Sequence, residues 1–329
     1  ISVGGSVLFD GATASLTNPG NTQIIFDGNG ADSFDSGGLS MPRVELAKGG
    51  GSVTLVTNDV TQAGTASLVF SNTAATTLDL SGFDWTLANT FNLNDAETTV
   101  RTGTGTLVAG ANAVNVNAGQ LTVEAGGGAV TTSNAVAVSG GGVTIEAGGS
   151  ITTTSTLTQT GGTITQDGAV TALSATLNGG TYDHNDGTLQ TTGGDLAVGG
   201  ATYDGTGVGS VTVSDDISVT AGSADLGGKT VNTGGTTGLS VSGGSFDFGG
   251  ATVGIGSTGD VALTGGTVEL DSGQVTLNNG TYTLAATVTT STIAASGAVT
   301  IDTSNSGTNV TIADDVGGGG TLDIVAGAA

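Results

Sequence analysis

Acidic residues recur in this chain at one fixed offset. Three places after the glycine of a recurring motif stand Asp183, Asp225, Asp247 and Glu269, with Thr122 and Thr144 at that offset in earlier copies and Asp204 near it in a slightly shifted copy. Alternation of apolar residues around them turns this position outward on a strand. Stacked strands are about 4.8 Å apart, so adjacent carboxylates would repel by on the order of 1 kcal/mol per pair in water-like surroundings. Two readings fit such a row. One is divalent cation binding, with Ca²⁺ held between carboxylates and corner carbonyls, because hard oxygen ligands suit that ion. The other is a solvated acidic stripe that keeps the protein soluble and discourages edge aggregation.

A second oxygen-rich segment, DGNGADSFD from Asp27 to Asp35, has the Gly28, Gly30, Asp32 and Phe34 spacing of a glycine-rich Ca²⁺ nonapeptide, which makes Asp27 and Asp32 candidate ligands. Such sites are shared between successive repeats and no second copy follows, so a plain polar turn is the competing reading. His184 is the single histidine, and the chain has no cysteine. It can form no conventional zinc site, nothing marks an activated serine to accompany it, and it reads as a surface or corner residue. A β-helical enzyme acting on acidic polysaccharide would need cations to receive substrate. Arg43 and Arg101 alone do not supply them, so the expectation is a protein without catalytic activity.

Charge restricts the partners further. Four Lys and Arg residues stand against 28 Asp and Glu, a formal net charge of −24, and the cations (Arg43, Lys48, Arg101, Lys229) are scattered. Nucleic acids and anionic membrane surfaces would be repelled. No apolar run reaches the roughly eighteen residues of a membrane helix, so no membrane insertion is expected. The start, ISVGGSVLFDG, lacks a basic segment followed by an apolar one, so a secreted protein would be represented here by its mature part.

The elements that position these residues follow from a repeat. LSVSGGSFDF at Leu239 returns as VALTGGTVEL at Val261, ISVTAGSADL at Ile217, ATLNGGTYDH at Ala175 and VNVNAGQLTV at Val114. Each copy is an alternating strand, a sharp corner and a second strand. The corner glycines Gly119, Gly141, Gly162, Gly180, Gly200, Gly222, Gly244 and Gly266 are 22, 21, 18, 20, 22, 22 and 22 residues apart. A period of that size predicts an all-β, right-handed parallel β-solenoid with coils of about 20–22 residues and three short strands per coil. Inward positions include Val241, Phe246, Phe248, Leu263, Val268 and Leu270. The step from Gly266 to Gly280 is short, which puts VTLNNGTYTL on a different face or in a shortened coil. With 62 glycines, 2 prolines and a mean hydropathy of +0.21, the composition favours many strands and tight corners over disorder. Residues 100–329 carry the regular repeats. Residues 1–99 are less regular and hold Trp85, Met41 and both prolines; they read as imperfect coils of the same solenoid, with a separate β cap as the alternative.

Gly103 to Gly126, GTGTLVAGANAVNVNAGQLTVEAG, resembles the strand repeat of autotransporter passenger domains. ELAKGGGSVTLVTNDVTQAGTASLVF resembles the coils of filamentous-haemagglutinin-like bacterial surface solenoids. The resemblance implies an exported, extracellular or cell-surface protein that is structural or adhesive: a filament, sheath, surface-layer or matrix subunit. A solenoid face that binds glycan or ice is the second reading. The Thr runs at 151–160 and 287–296 suit ice, although outward positions vary too much between coils for one Thr column. Self-assembly through open solenoid ends is expected, because neither ISVGGSVLFDG nor GGGGTLDIVAGAA carries Lys, Pro or a helix to blunt a strand edge. Divalent cations and cell-surface glycans are the other expected partners.

Overall fold

The computed structural model describes residues 2–9, 22–235 and 237–255, and beyond them the strands Val261–Glu269, Gln274–Leu277, Tyr282–Leu284, Ile293–Ala294, Ala298–Thr303, Val310–Ile312 and Thr321–Ala326. The fold is all-β, with no helix among the described residues, and its parallel strands stack as a β-solenoid of about 12 turns. It divides into two compact units, Ile1–Leu157 with Gly162–Val170 and Thr158–Gly161 with Thr171–Ala329.

In the first unit each coil contributes three strands, and equivalent strands pair in parallel with their counterparts one coil on. One column stacks Asp32, Val53, Leu78, Val100, Leu121, Val143 and Ile164 in register, all buried. This ladder runs through residue 99 without interruption, by way of the pairs Thr77 with Thr99 and Leu78 with Val100. A second column passes through Trp85, Leu107, Val130 and Ile151. The third is divided: strands Ser2–Val3, Gln23–Phe26, Arg43–Leu46 and Leu68–Phe70 form a four-stranded sheet of their own, and the column resumes at Phe91–Leu93. Period-two burial within each strand is what β-branched and aromatic residues favour on a half-buried pleat.

The second unit repeats the plan. Tyr182, Tyr203, Ala224, Phe246 and Val268 form one column, with Val211, Val231, Val253 and Val275 in another. The two tyrosine rings stack at 5.7 Å between centroids, and Phe246 meets Phe248 edge to face. The expected inward residues Val241, Phe246, Phe248 and Leu263 are all buried, whereas the side chains of Val268 and Leu270 lie outside the described residues. Gly280 does too. The strands beside it nonetheless place VTLNNGTYTL apart from the earlier repeats, since Gln274–Leu277 pairs with Thr252–Ile255 and Tyr282 pairs with Val261.

The corners explain the glycines. Gly141 and Gly244 have φ of 63° and 74°, a conformation costly for other residues. A Cβ on Gly141 would also lie 2.4 Å from the carbonyl oxygen of Gly119 in the preceding coil, and one on Gly244 would lie 2.6 Å from that of Gly222. The column leaves no volume for a side chain there. At Leu239–Asp247 and Val261–Glu269 the strand continues through the corner, so one strand serves two columns where the sequence suggests two strands.

Candidate functional site

Pairing within the second unit sets Asp183, Asp204, Asp225, Asp247 and Glu269 side by side in register on consecutive strands. Asp204, read from the sequence as slightly displaced, belongs to the row. The side chain of Glu269 lies outside the described residues, and the four aspartates are half-buried. Three of them bend over their own corners. Asp225 Oδ1 accepts the Gly227 N–H at 2.7 Å, Asp247 Oδ1 the Gly249 N–H at 2.7 Å, and Asp204 Oδ1 the Thr206 N–H at 3.2 Å. This is the Asx-turn geometry in which a short acidic side chain replaces a backbone acceptor. The first unit repeats it with Asp35 to Gly37 and Asp79 to Ser81. A hydrogen bond from Asn58 is the main cause that holds the Asp35 carboxyl below its usual range.

Beneath the row lies a buried polar group that sequence reasoning missed. Lys229 is fully buried, and its Nζ donates to the backbone oxygens of Asn185 at 2.7 Å and Gly207 at 3.0 Å. Residues 185, 207 and 229 occupy one position in three successive coils, a spacing of 22 that is visible in the sequence. Burial pulls the Lys229 ammonium below its ordinary pKa, while Asp186, Asp204, Asp183 and Asp225 pull the other way. The row therefore has a counter-charge inside the coil.

Of the two places read for His184, surface or corner, the surface is corrected: it is the last residue of the strand Ser174–His184 and is fully buried. It stands two places after Tyr182, so the same alternation that turns Asp183 outward turns both neighbours inward. Its Nδ1 lies 2.7 Å from the Tyr203 hydroxyl, while Nε2 has no hydrogen-bond partner. Burial and then the Lys229 charge lower its pKa to about 3, against the smaller opposing effect of the Gly187 and Asp186 backbone, so the imidazole is neutral at ordinary pH. Burial likewise raises the Tyr182 and Tyr203 phenols.

Asp27 and Asp32 are in different surroundings. Asp27 is exposed and accepts a hydrogen bond from the Ser2 hydroxyl. Asp32 points into the core, in register with Val53, and forms an ion pair of 2.5 Å with buried Lys48. The segment read as a polar turn is thus half strand, with Asp32 and Phe34 as its inward residues. Both arginines are outward and paired, Arg43 with Glu45 at 2.9 Å and Arg101 with Glu124.

Among the described residues, one group of three carboxylates gathers its oxygens within 4.8 Å: Asp195, Asp215 and Asp216. Asp216 raises the pKa of Asp215, with Asp195 adding to the effect. Two members again hold backbone, Asp195 taking the Asp216 N–H at 3.1 Å and Asp216 that of Gly238 at 2.8 Å. The pair Asp215-Asp216 was the available signal in the sequence; the coil that returns Asp195 beside it was not. The sequence also carries two Asn-X-Thr glycosylation sequons, of the kind expected by chance in so Thr-rich a chain, at Asn279 and Asn309; both asparagines fall outside the described residues. No known family model matches the chain, and no curated protein or solved structure matches it.

Proposed function

We propose that the chain is a structural or adhesive component of a cell exterior, an exported solenoid of the kind found in autotransporter passengers and filamentous-haemagglutinin-like proteins, working without catalysis. One observation carries the reading: polar side chains are used to tie coil to coil. Asn115 donates to Asn92 at 2.8 Å, Asn117 to Asn94 at 2.6 Å and Ser139 to Asn117 at 2.6 Å, so an outward polar ladder climbs the stack. Inside, Lys229 joins three coils and Lys48 is tied to Asp32. Such reinforcement suits a structural or spacing role, because each coil meets only its neighbours and stability accumulates along the stack. Self-association into a filament or sheet belongs to this proposal, with divalent cations or glycans as further partners.

Negative-stain images of the purified chain, together with sedimentation over a range of protein concentrations, test it. Polymers or ordered sheets are the expected result. Concentration-independent isolated particles would reject the assembling structural role and leave a monomeric binding module.

A further inference from the structure

The divided third column of the first unit leaves a slot. Strands Leu68–Phe70 and Phe91–Leu93 are successive members of that column, yet no ladder joins them, although their Cα atoms approach within 8 Å. Every other neighbouring pair described in that unit's columns is laddered. Phe70 and Phe91 meet edge to face beside the gap, at 5.9 Å between centroids. Phe70 is half-exposed at a position where its neighbours Phe26 and Leu46 are buried.

Backbone groups face this gap. Ser67 accepts from Val44 and Ser71 donates to Leu46, so alternation along a parallel ladder turns the N–H and C=O of Leu68 and Phe70 the other way. On the far side Phe91 donates to Ala113 and Leu93 accepts from Asn117, which turns Asn92 toward the gap. The resulting cavity, about 240 Å³, is lined by Ser67, Leu68, Val69, Phe70, Asn89, Thr90, Asn92 and Asn94.

The geometry points to a binding site for one ring of a neutral saccharide. The lining has hydroxyls, carboxamides and backbone donors and acceptors but no ionised side chain, so it offers no counter-charge to a cation, a phosphate or an acidic sugar. Sugar hydroxyls both donate and accept, which matches that mixture, and the half-exposed Phe70 side chain adds apolar surface for the sugar's C–H groups. The flanking strands approach within 8 Å, less than the roughly 9.6 Å an inserted peptide strand needs, so the sugar lies in the mouth of the slot, against Phe70 and the asparagine side chains, and not between the two backbones. The volume lies below the roughly 300 Å³ at which pockets for larger ligands begin. The net charge of −24 disfavours acidic glycans at long range. This site does not depend on whether the solenoid assembles.

Amide spectra of the full isotope-labelled chain, titrated with oligosaccharides of glucose, galactose, mannose and N-acetylglucosamine and with sialyllactose, test the site. At least one neutral sugar is expected to shift the Leu68, Phe70 and Asn92 amides, and sialyllactose is not. Asn94→Ala, at an exposed position where it removes the single bond from Asn117, with circular dichroism and the melting midpoint recorded beside binding, should weaken that binding about tenfold, and Phe70→Ala should abolish it. No slot-amide shift with any neutral sugar, shifts confined to other residues, or equal binding of sialyllactose would each overturn the assignment.

Discussion

The Nζ of Lys229 donates a 2.7 Å hydrogen bond to the backbone oxygen of Asn185, 44 residues earlier in the chain. A single side chain thereby spans two coil boundaries, with the Gly207 oxygen at 3.0 Å on the way. An ammonium held by inward-facing carbonyls does here what a bound cation would do, and it does so below a row of carboxylates. Lys229→Met keeps the length and removes the charge, leaving both oxygens without this donor. The expected loss is about 2–4 kcal/mol in urea unfolding, because a buried acceptor left unpaired costs more than the bond contributed. A change below about 0.5 kcal/mol, the level of ordinary surface substitutions, would refute the staple.

His184 makes stability depend on pH in a definite window. Its folded pKa is about 3, below the ordinary 6.5, so between those values the unfolded chain takes up a proton that the folded chain refuses. The contribution is complete above the unfolded value and is lost as pH falls toward the folded one, at up to about 1.4 kcal/mol per pH unit. His184→Gln retains a polar partner for Tyr203 and removes the titration. Wild type should therefore lose its advantage over the variant between about pH 7 and about pH 4, the carboxylates being common to both. A difference that stays constant across that range would show that His184 takes up its proton alike in the folded and the unfolded chain, and so that burial does not lower its pKa.

How much of this was legible in the sequence depended on whether one period or two had to be combined. The strands, the inward Phe246 and Phe248 and the corner glycines follow from alternation and a 22-residue repeat, both local properties of the chain. The acidic row followed as well, because its offset from the corner glycine is fixed. His184 was legible in principle from the parity it shares with Tyr182, but a polar neighbourhood, Asp183 and Asn185, masked it. Lys229 and the Asp195–Asp216 approach required superposing coils as well as reading strands, since their partners lie 44 and 21 residues away. The slot was least accessible: it is a ladder missing between Leu68–Phe70 and Phe91–Leu93, two strands whose alternating sequences look like those of their laddered neighbours.

Both lysines are fully buried, which gives the surface an unusual reactivity. Amine acylation of the native protein should leave Lys48 and Lys229 unmodified, and denaturation in urea should expose both, as read by peptide mass spectrometry. Trypsin should act first at Arg43 or Arg101, whose side chains are 44% and 47% exposed. Rapid native acylation of Lys48 would contradict its pairing with Asp32 inside the core.

The acidic row separates charge from hydrogen bonding in a way that substitution can use. Asp225 and Asp247 each accept a corner N–H through Oδ1, and an asparagine carbonyl can accept the same bond. Replacing both with Asn therefore keeps the turns and deletes two adjacent charges from a stack of in-register carboxylates. Neighbouring carboxylates repel by on the order of 1 kcal/mol per pair at low ionic strength, and the double variant removes the Asp204–Asp225 and Asp225–Asp247 pairs and the charge that faces position 269, so it should be more stable than wild type by about 2 kcal/mol. The gain should shrink as salt is added, because the repulsion is screened over a Debye length of about 10 Å at 0.1 M. Thermal melts in NaCl and in CaCl₂ of matched ionic strength complete the test. Equal gains for wild type in the two salts mean that each carboxylate stays on its own corner; a further Ca²⁺ increment that Asp225→Asn and Asp247→Asn together remove means that neighbouring carboxylates turn to share the ion. A double variant less stable than wild type at low salt would refute the repulsive row altogether, and would place the dominant interaction of these aspartates with the Lys229 ammonium beneath them.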